Sequence, residues 1–161
     1  MNKIRIGVVD TTFARMDMFK VVKEELMKYP EVEITRKTVP GMKDTPIACK
    51  KLLDEGCSIA IALVMVGKEK IDEQCGHEAA LGIQTAQLMA NKHIIGVFIH
   101  ETEALDNEGN VIEKDLKEIA LNRARKHALN AYLLIAKPEE LEKNAGKGLR
   151  QGKNDVGAIG D

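Results

Sequence analysis

Aromatic side chains are scarce: among 161 residues there is no tryptophan, with two tyrosines and three phenylalanines. An aromatic placed where a strand leaves the core therefore needs a reason, and Phe13 in "VVDTTFARMDM" is such a case. Neither sign of charge is in excess, 24 Lys and Arg standing against 25 Asp and Glu for a formal charge of -1. That balance supplies no general attraction to nucleic acid or to an anionic membrane surface, so any ligand must be recognised locally. Cysteine is limited to Cys49, Cys57 and Cys75, odd in number and 8 and 18 residues apart. This spacing fits neither a disulfide framework nor the close pairs of a zinc site, and reads as reduced thiols in a cytoplasmic protein. The start, "KIRIGVV", is strand material without a signal core, and no apolar run approaches membrane-spanning length, which predicts neither export nor a membrane partner. The first helix is not opened by G-x-G-x-x-G, and "AGKGLRQGK" lacks both Walker spacing and a preceding strand, so the usual nucleotide sites are disfavoured.

What is present is an alternation of short β-rich runs with amphipathic stretches. The pattern predicts a strand over 4–10 and a helix over 16–29 in which Met18, Val22, Leu26 and Tyr29 follow helical spacing, closed by Pro30. A strand over 32–39 ends at Pro40-Gly41, and Asp44 or Thr45 caps a helix reading "PIACKKLLDEG", terminated by Gly56. The run "SIAIALVMV" over 58–66 is apolar nearly throughout, as expected of a parallel strand covered on both faces. A long helix over 74–91 and a strand over 93–99 follow, with the charged "GKEKIDE" read as a solvated loop. The last helix begins near 113 and carries Leu116, Ala120, Ala124, Ala128 and Ala131 on one stripe.

Repeated strand-then-helix units at this length predict one α/β domain with a four-stranded parallel sheet in a three-layer α/β/α arrangement of flavodoxin-like topology. The domain is expected over 1–145, and the glycine-rich tail over 146–161 defaults to disorder or induced order. In such sheets the ligand lies beyond the carboxyl ends of the strands. Those ends are "DTTFAR", "TVPGMKDTP", "LVMVGKEKIDE" and "FIHETEA", each mixing polar groups with apolar neighbours, the composition of a small-molecule pocket. A response-regulator phosphoacceptor is disfavoured because the third strand ends in Met65-Val66 and offers no acceptor aspartate. On pattern alone Phe13 is a core plug, a helix staple or a stacking platform. Lys43 and Asp44 are a solvated pair and a cap, or ligand contacts. His77, beside Glu78, is a capping or surface residue or a proton carrier, while His93 reads as structural.

Taken together, "DTTFAR", "RKTVPG", "PIACKKLL", "HEAALG", "AQLMANKHII" and "AGKGLRQG" give the chain a specific likeness. It resembles the archaeal type of riboflavin synthase over essentially its whole length, and lumazine synthase more distantly. The resemblance implies a homopentamer with sites between adjacent subunits. It also implies a dismutation in which one 6,7-dimethyl-8-ribityllumazine gives a four-carbon unit to another, yielding riboflavin and 5-amino-6-ribitylaminouracil. It implies no organic cofactor and leaves room for Mg2+, with no metal ligands assigned. Residue by residue, Phe13 stands where an aromatic stacks on the heterocycle, with Thr12 and Arg15 beside it. Met42, Lys43 and Asp44 stand where the ribityl chain is held, Leu63, Val64 and Met65 where the ring is lined, and Val97 and Phe98 where an apolar wall is contributed. For proton movement the candidates are His77, His100 and Glu101.

Two departures from lumazine synthase matter. The position of its proton-transferring histidine falls on Ile71, and its phosphate-binding arginine has no convincing counterpart in "EALDNEGNVIEKDLKE". A missing phosphate clamp suits two phosphate-free lumazine substrates. Lumazine synthase activity, and a flavodoxin-like module that binds flavin or lumazine without turnover, stand as the alternatives. Lys68, Lys70, Arg123, Lys126 and His127 remain open between surface and a neighbouring site.

Overall fold

The computed structural model describes residues 2–160; Met1 and Asp161, the outermost residues of the expected domain and tail, lie outside the described residues. Four strands, β1 (Ile4–Thr11), β2 (Val32–Val39), β3 (Ile59–Val66) and β4 (Ile94–His100), form one sheet in the order β2-β1-β3-β4. All three pairings are parallel, with Ile4 opposite Val32, Ile6 opposite Ile59 and Ala60 opposite Ile94. The order changes direction between β1 and β3, so the carboxyl ends of these strands open the crevice where ligands sit in doubly wound sheets.

Why β3 lies inside follows from its composition. Every residue of IALVMV-type sequence from Ile59 to Val66 is buried, because helices cover both faces. Each large aliphatic side chain so buried stabilises by about 1.5–3 kcal/mol. On one face α1 (Met18–Leu26) and α4 (Glu113–Ala136) pack on Ile6, Val8, Ile61, Leu63 and Val97. On the other, α2 (Thr45–Asp54) and α3 (Lys70–Ala90) pack on Val9, Ala60, Ala62, Val64 and Val66. The expected stripe of α4 is buried as read, Tyr132 joining Leu116, Ala120, Ala124, Ala128 and Ala131. Gly7 lets α2 approach β1 closely, since a Cβ there would stand 2.9 Å from Leu52 Cδ1.

Helix boundaries differ from the sequence pattern, and α1 ends at Leu26, short of Tyr29. The "GKEKIDE" run is not a loop throughout: α3 begins at Lys70, because the Asp72 carboxylate accepts the Glu69 amide at 3.2 Å and satisfies a first-turn donor. Helix α1 starts at Met18, where Asp17 accepts the Lys20 amide at 3.2 Å. A further helix, α5 (Pro138–Asn144), follows α4, with proline in its first turn where its missing N–H costs nothing. Beyond α5 the tail returns to α4: Gly152 is buried, and its amide donates to Asn122 Oδ1 at 2.8 Å.

Candidate active site

The loop after β1 is fixed by its neighbours. Thr12 donates its amide to Val39 O at 3.0 Å and its hydroxyl to Pro40 O at 3.2 Å, tying the end of β1 to the turn that ends β2. Thr11 Oγ1 accepts the Ala14 amide at 3.2 Å from within the core. Held between these anchors, Phe13 is 53% exposed. It lines an open recess of 390 Å³ with Pro40, Gly41, Met42, Lys43, Asp44, Asp72 and Cys75. Such a volume holds one drug-sized molecule.

Around that recess the charged groups are matched. Lys43 pairs with Glu78, which raises the ammonium above its ordinary range and lowers the carboxyl. Asp44 turns back to accept the Gly41 amide at 3.2 Å, so its carboxylate braces the Pro-Gly turn instead of capping α2. Thr45 is buried and donates to Met42 O at 2.7 Å.

A second recess, of 160 Å³, opens on the α4 side and is lined by Arg15, Met16, Met65, Glu113, Leu116 and Lys117. The Arg15 amide donates to Met65 Sδ at 3.5 Å, and its guanidinium reaches Glu101 at 2.9 Å and Glu113 at 2.5 Å. Glu101 also accepts the Lys68 amide at 3.2 Å, so one carboxylate joins the ends of β1, β3 and β4. Its hydrogen bond to Arg15 is the largest influence raising that guanidinium above its ordinary value. Lys68 Nζ is held by Gly109 O at 3.0 Å.

At the end of β4, His100 Nδ1 lies 3.0 and 3.2 Å from the two oxygens of Glu73, and the Thr102 hydroxyl donates to Glu73 at 3.0 Å. An ionised carboxylate only accepts, so the tautomer that suits this contact has its proton on Nδ1. Glu103 accepts the His100 amide at 3.1 Å and binds Arg123 through two bonds of 2.6 and 2.8 Å. Burial alone would raise the Glu103 carboxyl, but the bonds from Arg123 and the His100 amide outweigh it and hold it below its ordinary value.

Of the residues singled out from sequence, the structure gathers Phe13, Met42, Lys43 and Asp44 at one recess and Arg15 and Met65 at the other, Glu101 being tied to Arg15. Thr12 serves as their brace. His77 is exposed on α3 and lines neither. Leu63, Val64 and Val97 are fully buried, because a strand covered on both faces shows a ligand only its last residues. Phe98 is half-buried against Gly96, with its ring 6.4 Å from that of His100. Glu73, Thr102 and Glu103 were not singled out; only the need of a strand-end histidine for a carboxylate partner pointed toward them. Among the described residues no cluster of three or more His, Cys, Asp and Glu side chains could hold a metal ion.

A sequence model of the family described as 6,7-dimethyl-8-ribityllumazine synthase matches residues 3–139. The chain belongs to this family. Within and beyond the lumazine synthase family model, the chain is 49% identical over 158 residues to a riboflavin synthase of Methanothermobacter marburgensis, covering 97% of this chain and 99% of that one. It is 47% identical over 157 residues to a riboflavin synthase of Archaeoglobus fulgidus, with the same coverage of 97% and 99%. A 6,7-dimethyl-8-ribityllumazine synthase of Archaeoglobus fulgidus is 29% identical over 130 residues, 73% of this chain and 91% of that one. The lumazine synthase family model thus ends before the tail, whereas the likeness to the two riboflavin synthases runs on into it.

Proposed function

We propose that the chain is a riboflavin synthase, converting two molecules of 6,7-dimethyl-8-ribityllumazine to riboflavin and 5-amino-6-ribitylaminouracil. The observation that carries this reading is the near full-length similarity to proteins of that name, continuing past the end of the lumazine synthase family model. The site is compatible with it. Phe13 offers an exposed aromatic face, and the Pro40–Asp44 turn offers backbone and polar groups for ribityl hydroxyls. Arg15 is occupied by Glu101 and Glu113, and Lys43 by Glu78, which suits substrates without phosphate.

The chemistry asks mainly for alignment. The methyl group at position 7 is acidified by the conjugated ring, so much of the rate comes from holding two flat molecules in antiparallel register in a partly dry site. His100, oriented by Glu73, is the group placed to take and return a proton, and Glu101 keeps Arg15 at the seam between the recesses. The reaction is a transfer between two copies of one substrate and consumes no organic cofactor.

A homopentamer with sites between neighbours belongs to the same reading. The Phe13 recess and His100 lie in opposite halves of the sheet, and β4 is an edge strand. A head-to-tail ring would set the His100 edge of one copy against Phe13 of the next. The exposed Leu81, Leu88 and Met89 of α3 supply apolar surface for such contacts. Sedimentation velocity measures the ring size. The three free cysteines accord with a cytoplasmic enzyme, and among the described residues no helix is long and apolar enough to cross a membrane.

The test is direct. Purified protein given 6,7-dimethyl-8-ribityllumazine alone is expected to develop flavin absorbance. Absence of riboflavin overturns the reading, and tight binding without product marks a passive module instead.

A further inference from the structure

Residues 147–152 are loop, yet they are tied to α4 by specific bonds. Gln151 O accepts Arg123 Nε at 3.2 Å, Arg150 O accepts Lys126 Nζ at 2.7 Å, and the Gly152 amide donates to Asn122 Oδ1 at 2.8 Å. Asp155 closes the loop by accepting the Arg150 amide at 2.9 Å. Gly152 has φ of 82°, and a Cβ there would lie 2.5 Å from two nitrogens of the Arg123 guanidinium. Only glycine meets both the backbone conformation and the close approach.

Arg123 carries the contact inward. Its remaining nitrogens bind both oxygens of Glu103, and Nη1 also donates to Phe98 O at 2.8 Å. Glu103 in turn accepts the His100 amide. A continuous set of bonds therefore runs from the tail to the carboxyl end of β4. Of the two activities found on this fold, the lumazine synthase family model stops at residue 139, while proteins named riboflavin synthase match 97% of the chain.

We propose that residues 147–152 form a latch, specific to riboflavin formation, that positions Phe98 and His100 through Arg123 and Glu103. The latch residues line neither the Phe13 recess nor the Arg15 recess and act as positioning residues. The inference rests on the function proposed above. It goes beyond it in assigning a segment outside the lumazine synthase family model to the difference between the two reactions.

The full-length Gly152→Val variant tests it. Binding of 6,7-dimethyl-8-ribityllumazine is followed by ligand fluorescence, turnover by flavin absorbance and assembly by sedimentation velocity. The expected result is a fall in kcat of about tenfold or more, with Kd for the lumazine within about threefold of wild type and the same sedimentation coefficient. A folded variant with kcat within about twofold of wild type overturns the latch. Should the valine prevent folding, Asn122→Ala decides in the same assays, because it removes only the acceptor of the Gly152 amide. A reduced kcat restored by Asn122→Asp, which keeps that acceptor, supports the latch, and an unchanged kcat in Asn122→Ala overturns it. An inactive wild type removes the function on which the latch rests, whereas an active wild type with unaffected variants removes the latch alone.

Discussion

Phe13 combines two properties that seldom occur together, a large apolar ring and an anchored but open position, because Thr12 is bound to the β2 turn on one side and Thr11 to Ala14 on the other. Replacing it with alanine removes the ring and leaves those anchors in place. Phe13→Ala is expected to weaken lumazine binding by about 1–3 kcal/mol, by analogy with base–aromatic stacking, with the sedimentation coefficient unchanged. Unfolding with normal affinity would show Phe13 to be a core residue. Toward the other edge of the sheet, His100→Asn is expected to lower kcat by about 10²–10⁴, the usual contribution of a positioned acid or base. Glu73→Gln should approach that loss, since an amide no longer dictates which ring nitrogen holds the proton. Steady-state kinetics decides, and an unaffected kcat in both variants would reduce the pair to a structural contact. The thiols give a further test. Burial pushes Cys49 up to about 12, so it should resist iodoacetamide in the native protein. Cys75, which lines the Phe13 recess, should react and be protected by bound lumazine, as peptide mapping would reveal.

Among the elements, α4 was the most legible and α3 the least. The α4 stripe announces itself because small apolar residues recur at helical spacing, and the sheet beneath requires small side chains there. Ala124 has no exposed surface, so Ala124→Leu should overpack that layer and destabilise by about 1–3 kcal/mol, measured by chemical denaturation. For α3, the density of charge in "GKEKIDE" suggested a loop, but one local hydrogen bond from the Glu69 amide to Asp72 outweighed that composition. The four strands and the apolar stripes of α1 and α4 could be read from periodicity. What spacing could not convey is which turn of a helix meets which strand end. Glu73 with His100 and Arg123 with Glu103 are partners through the fold, so the candidate site was visible as strand ends and its charged couplings were not. Similarly, Leu63 and Val64 share a strand with Met65, and only the depth of the sheet separates core from pocket wall.

For the molecule as a whole, acid should act in two stages. Burial, with the charge of Arg123 adding to it, lowers the His127 pKa below 6.5. The unfolded chain then takes the proton more readily, so the contribution of His127 is complete above pH 6.5 and is lost as pH falls toward the lowered folded value. Glu103 acts in the next stage: its contribution is complete above 4.5 and is lost as pH falls through its own lowered value. Thermal melts from about pH 8 to about pH 2 should show both, and His127→Asn should flatten only the first. Tyr29 and Tyr132, whose rings stack at 3.6 Å and 12°, lie where α1 meets α4 at the end of the sheet away from Phe13. With no tryptophan in the chain, this couple contains every tyrosine there is. The near-ultraviolet dichroism of the protein is therefore dominated by one contact, and lumazine and flavin absorb at longer wavelengths. The molecule thus separates its own optical channels, one colour reporting whether two helices are docked and another whether the chemistry has run.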